Sequence, residues 1–171
     1  HFTGYDVPKN ITSIPKYAFS NCDQLEDFNW GESKVTFIGE AAFAACEKLR
    51  QMYIPATVAA NGLGNGIFMQ SPLIGTEDST HTDGFEFKNA PSNIPAYMFA
   101  GCTSLPRIKI PESVTKINAY AFSGCDTLPS VAIPNAVTSI ESYAFGAYKT
   151  YGNLSKLTNV SLTADSKLTS I

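Results

Sequence analysis

Phe19, Phe43, Phe68, Phe99, Phe122 and Phe145 recur at separations of 24, 25, 31, 23 and 23 residues, and this recurrence constrains the fold more than any local propensity. Four of the six bring companions. Cys22, Cys46, Cys102 and Cys125 each follow a Phe by three residues, and Leu25, Leu49, Leu105 and Leu128 follow three later again. A unit this short cannot bury its own apolar face, so consecutive units must stack and share one continuous core.

The clearest copy spans 117–134 and reads INAYAFSGCDTLPSVAIP. Its apolar positions fit neither one long helix nor one long strand. Leu128-x-x-Val131-x-Ile133 ends in the alternation of a short strand, and Pro134 stops it by removing a backbone donor. Ala121 and Phe122 follow Ile117 by four and five residues, which suits one turn of α or 3₁₀ helix laid over the core. Seven strands are expected near 5–7, 28–30, 52–54, 85–87, 108–110, 131–133 and 160–162, with parallel neighbours about 4.8 Å apart. Ile11 with Ile14, Val35 with Ile38, Val114 with Ile117 and Val137 with Ile140 suggest a second, shorter parallel ladder.

These columns resemble the BspA-like leucine-rich repeats, whose pattern is Ile-x-x-x-Ala-Phe-x-x-Cys-x-x-Leu-x-x-Val-x-Ile-Pro. Units 14–30, 38–55, 94–111 and 117–134 carry it nearly intact. The resemblance implies a curved repeat solenoid of about six to seven units, with a parallel β-sheet on the concave face and short helical or 3₁₀ turns. It also implies a bacterial surface or secreted protein used for adhesion or partner binding. The spacing itself establishes the stacked repeat alone.

At 171 residues and 44% hydrophobic, the chain can bury a sizeable core, and the regular period argues for a single domain over 1–171. Phe2-x-x-Tyr5-x-Val7-Pro8 aligns with the strand end of the 117–134 unit, and Leu168-Thr-Ser-Ile171 aligns with Val137-Thr-Ser-Ile140. Both ends thus fall within a repeat, so a fragment of a longer array is expected, with bare terminal strands open to end-to-end self-association. A net charge of -3 with 16% charged residues supplies no basic stripe for nucleic acid. No apolar run is long enough to span a bilayer, so no membrane insertion by this chain is expected.

The four cysteines share one repeat position between Ala-Phe and Leu, the place of a small buried hydrophobe that a reduced thiol fills well. A disulfide between neighbours such as Cys102 and Cys125 is the weaker alternative in an extracellular chain. Another column holds Tyr17, Tyr97, Tyr120 and Tyr143, with Ala41 and Gly66 at the gaps. Such rings either form an interface or pack against the ring one unit along.

Catalytic constellations are missing. A Ser or Cys nucleophile needs a base, usually His, and the two histidines are His1 and His81. His81 with Asp78 and Asp83 matches neither zinc-motif spacing nor the EF-hand loop, so no metal is expected. The glycines of 61–66 lack the Lys-Ser/Thr of a phosphate loop, and no cofactor is expected. Asn10, Asn153 and Asn159 fit the glycosylation pattern, which is short enough to arise by chance.

Binding residues are sought on the exposed rows of the strands, where Tyr53, Glu86, Arg107 and Lys109 are the best candidates. The plainer alternative makes Glu86 and Lys109 a cross-strand ion pair of little energetic value. Two insertions, of eight and six residues, interrupt the same point of the repeat. The loops 69–84, carrying Glu77, Asp78, His81 and Asp83, and 146–156, carrying Tyr148 and Tyr151, are expected to project from one edge and to join the site. The expectation is a non-catalytic extracellular or cell-surface module for interaction or adhesion, with a protein or glycan ligand. A structural spacer presenting another domain is the alternative, and an enzyme a remote one.

Overall fold

The computed structural model describes residues 3–50, 52–73, 85–147 and 157–171. Two sets of short parallel strands connect successive repeats. In the first, β1 (Gly4–Asp6) pairs with β3 (Asp27–Asn29), β5 (Tyr53–Ile54) with β6 (Glu86–Phe87), and β9 (Ser130–Ala132) with β11 (Asn159–Ser161). A lone bridge joins Phe85 to Ile108. In the second set β2 (Ser13–Ile14) pairs with β4 (Phe37–Ile38), and β7 (Asn93–Ile94), β8 (Lys116–Ile117) and β10 (Ser139–Ile140) form a three-stranded sheet. The second ladder expected from the Ile column therefore forms.

Among the described residues the first set is three pairs and one isolated bridge rather than one seven-stranded sheet, and several strands start one residue earlier than the pattern suggests. Side-chain chemistry accounts for the breaks. Glu26 donates its backbone N–H to Thr3 at 2.9 Å, and Thr158 donates to Pro129 at 3.0 Å. Pro129 occupies the equivalent position in its own unit and has no N–H to donate to the unit before it. Between β3 and β5, the Tyr53 carbonyl accepts the Trp30 indole N–H at 2.9 Å.

The expected helical or 3₁₀ turn is a correction. Among the described residues no α or 3₁₀ helix occurs; the Ala-Phe segment is a run of tight turns. Tyr17 and Asn21 both have φ of 59°, and Ala41 and Ala45 have 50° and 53°. Tyr97 with Gly101 and Tyr120 with Gly124 repeat this left-handed pair four residues apart, whereas a right-handed helix needs negative φ throughout. Alternate N–H groups also point out of the segment. Tyr17, Phe19 and Asn21 donate to Glu40, Ala42 and Ala44 at 2.9, 2.8 and 2.8 Å, and the N–H groups between them close turns, as in Ser20 to Tyr17 at 3.1 Å. Each unit thus hands its donors to the next, which a helix would keep for itself.

Inside these ladders the anchor rings stack from unit to unit. Phe19–Phe43, Phe99–Phe122 and Phe122–Phe145 have ring centroids 5.3, 5.3 and 5.2 Å apart and nearly parallel planes. Phe43–Phe68 and Phe68–Phe99 continue the column at 5.8 and 5.9 Å. Phe28 and Phe85 meet it edge-on from the strands, the geometry that ring quadrupoles favour.

All four thiols are free. Cys46, Cys102 and Cys125 are buried, and each Sγ donates to the carbonyl of the Phe one unit back, at 3.0, 3.1 and 3.2 Å. Ser71 stands in this column in place of Cys and donates its Oγ–H to the Phe43 carbonyl at 2.7 Å.

Candidate functional site

The first strand set presents the predicted row of side chains to solvent. Tyr53 of β5 lies directly opposite Glu86 of β6 in the parallel register, and both are half-buried. Lys88, two residues beyond Glu86, completes the cluster. Its Nζ sits 3.9 Å from the Tyr53 ring centroid and 3.9 Å from Glu86 Oε2, a cation over a ring face with a carboxylate beside it. The Glu86 carboxylate therefore pairs along its own strand with Lys88; the expected Glu86–Lys109 pair does not form.

Lys88 was not among the residues read from the sequence, yet a signal existed. Pro8, Pro55, Pro111 and Pro134 fill the position that ends four of the seven strands, and Lys88 stands there after β6. It restores a donor, since its N–H bonds to Ile54 at 2.8 Å, and it adds a charge next to Tyr53.

Arg107 and Lys109 are both exposed further along the row. Lys109 rims a hollow of about 270 Å³ shared with Glu112, Asn135 and Thr163. The Arg107 backbone carbonyl accepts the Phe85 N–H at 3.4 Å, so its main chain belongs to the scaffold and its side chain to the surface. In the opposite direction Glu26, Asp27, Lys48 and Arg50 line an open cleft of about 420 Å³, with Lys48 Nζ 3.4 Å from Glu26 Oε1. Asp27 comes from β3, and Lys48 and Arg50 from the segment before the next strand. Glu77, Asp78, His81, Asp83, Tyr148 and Tyr151 lie outside the described residues.

The thiols offer little nucleophilic chemistry. Burial pushes Cys46 up to about 12 and Cys102 and Cys125 well above the ordinary thiol value, so they stay protonated donors, and a thiol rather than a thiolate is a poor nucleophile. Among the described residues no three His, Cys, Asp or Glu side chains gather to hold a metal ion. No helix among them is long and apolar enough to cross a membrane.

The described architecture is that of known bacterial repeat proteins. The chain aligns over 99% of its length with a leucine rich cell surface protein from Faecalibacterium prausnitzii A2-165, at 27% identity and a TM-score of 0.64, covering 52% of that chain. A leucine-rich repeat protein from Eubacterium ventriosum shares its fold at 22% identity and a TM-score of 0.67 over 97% of this chain and 43% of the other. One from Bacteroides ovatus does so at 21% and 0.63, over 98% and 44%. The chain thus spans about half the length of these solved structures. No curated protein matches it. The sequence model for the BspA type leucine rich repeat region matches residues 1–75 and 77–171 in six copies; with its Phe, Cys and Ile columns stacked as described, this chain belongs to the BspA-type leucine-rich repeat family.

Proposed function

We propose that this chain is a non-catalytic interaction module of a bacterial cell-surface or extracellular protein, and that it works by presenting side chains from a stacked, single-domain scaffold to a protein or glycan partner. The observation that carries this reading is the Tyr53–Glu86–Lys88 cluster, a ring, an acid and a base held in register on adjacent parallel strands. Side chains fixed by strand pairing lose little freedom on binding, which is how preorganised surfaces gain affinity. Arg107 and Lys109 extend the surface. The loops carrying Glu77, Asp78, His81 and Asp83, and Tyr148 and Tyr151, are proposed to join it, because insertions on a rigid repeat concentrate binding groups. The surface location rests on the Faecalibacterium relative, described as a cell surface protein, and the solenoid curvature that would make the strand face concave rests on the family.

The test is binding of the chain to a panel of extracellular-matrix proteins and immobilised glycans, alongside a Tyr53→Ala/Lys88→Glu variant and a variant lacking both insertions. Circular dichroism checks folding. Binding that falls with either variant while the fold survives supports the module. Equal binding by all three forms moves the site elsewhere, and no binding by any favours a spacer.

A further inference from the structure

The tyrosine column is broken in the middle. Tyr97–Tyr120 and Tyr120–Tyr143 stack with centroids 4.8 and 5.1 Å apart and planes within 5° and 11° of parallel. Toward the other end the next two positions are Gly66 and Ala41, and the column resumes at Tyr17. The ring face of Tyr97 that does not meet Tyr120 therefore looks into a slot. That slot is an open surface hollow of about 140 Å³ lined by Tyr97, Tyr17, Gly66, Ala41 and Met69.

The rim is polar. Glu40 takes a hydrogen bond from Tyr17 Oη at 3.0 Å and from Lys16 Nζ at 2.9 Å, and these hydrogen bonds hold its carboxyl below the usual range. Lys16 Nζ also lies 4.7 Å over the Tyr17 ring. The Glu40 charge is thus paired with Lys16 within the protein. What remains is an open aromatic face, a carboxylate with unused lone pairs and, one unit along on the same rim, Asn65.

We infer that the slot binds a neutral pyranose ring, its axial C–H face on Tyr97 and its hydroxyls on Glu40 and Asn65. The negative face of an aromatic ring attracts polarised C–H groups. A carboxylate and an amide accept and donate to vicinal hydroxyls. A neutral sugar fills the vacant place next to Tyr97 and meets the polar rim, whereas an aromatic side chain would leave that rim without hydroxyl partners. The slot is built by the turn segments, so this site is separate from the strand cluster and does not depend on it.

The repeat supplies its own competitor. Left-handed Tyr occurs at this position in four units with φ of 57–59°, and Ala41 and Gly66 already have 50° and 62°. A Cβ added at Gly66 would meet its nearest neighbours at an ordinary 3.9 Å. Ala41→Tyr/Gly66→Tyr should therefore complete the column and fill the slot. The experiment is saturation-transfer NMR with methyl glucoside, galactoside, mannoside and N-acetylglucosaminide at millimolar concentration, with amide shifts followed at Gly66 and Tyr97. At least one pyranoside should bind with its ring C–H protons saturated and both amides shifted. Affinity should fall by roughly tenfold or more in Ala41→Tyr/Gly66→Tyr, with no loss of melting temperature. Tyr97→Ala, which opens the wall instead of filling the slot, should lose binding as well and serves if the double variant does not fold. Absence of binding by all four sugars, binding that survives both variants, or p-cresol occupying the slot in preference to every sugar would each overturn the assignment.

Discussion

At the scale of single residues, the Cys column is a hydrogen-bonding device and not simply a small apolar filler. Each buried Sγ donates to the Phe carbonyl of the preceding unit, and Ser71 makes the same bond where the column switches residue type. Ser71 Oγ also accepts the Cys46 backbone N–H at 3.1 Å, so it satisfies two buried main-chain groups. Ser71→Ala should cost about 1–3 kcal/mol, the usual penalty for orphaning buried polar groups, while Ser71→Cys should keep most of that stability; urea melts of the two variants measure the difference. The thiols differ in access. Cys22 is half-buried and the other three are buried, with their ionisation suppressed by the same burial. Iodoacetamide on the native protein should label Cys22 first, and Cys46, Cys102 and Cys125 should react only after unfolding, as intact-mass spectrometry at timed intervals would show. A second native label appearing as fast as the first would contradict the burial of the column.

At the scale of elements, the turn segment trades local strain for bonds to its neighbours. Non-glycine residues in the left-handed region cost roughly 1–2 kcal/mol each, yet Tyr17, Asn21, Ala41, Ala45 and Gln70 all sit there, because that twist aims alternate N–H groups at the next unit. Gly101, at φ 72°, has its ideal Cβ position 3.4 Å from Gln70 Cγ. Gly101→Ala should therefore destabilise by about 1–2 kcal/mol. Ala45→Gly should do the opposite by up to about 1 kcal/mol, since relief of strain exceeds the entropy cost of glycine; denaturant midpoints decide both signs. This segment is also where the sequence was least transparent. Asn21, Gly101 and Gly124 two residues after Phe were a legible sign of left-handed backbone, but the Tyr four residues earlier carries no such sign, and the spacing of Ala121 and Phe122 after Ile117 read as a helical turn. The strands were legible because Val131-x-Ile133 and its copies alternate and end at Pro. The breaks between them were not, because they depend on Pro129 and the Trp30 indole meeting a particular neighbour. Of the candidate site, the pairing of Tyr53 with Glu86 followed from repeat register, whereas Lys88 was hidden by its place in a column that is otherwise Pro, Gly or Thr.

At the scale of the whole molecule, almost every stabilising contact described runs from one unit to the next: strand bridges, turn ladders, thiol bonds and two columns of stacked rings. Stability in such an array is close to a sum of unit and nearest-neighbour terms, so removing one whole period should shorten the protein without unfolding it. Residues 117–139 form such a period, with Ile117 and Ile140 at equivalent positions 23 residues apart. Joining Lys116 to Ile140 brings Phe145 into the place of Phe122 and Tyr143 into the place of Tyr120, so both ring columns close again. The β7–β8 pairing and its register are matched by β8–β10, so the backbone ladder also has a ready partner. The deletion should fold cooperatively, with a urea m-value lower by about one-seventh, because m scales with the surface exposed on unfolding. A deletion of half that length at the same place shifts every column out of register and should leave the units after it unfolded. If the full-period deletion also failed to fold, the contacts would have to be cooperative over more than neighbouring units, and the interchangeable stacking that both proposed sites rely on would be lost with it.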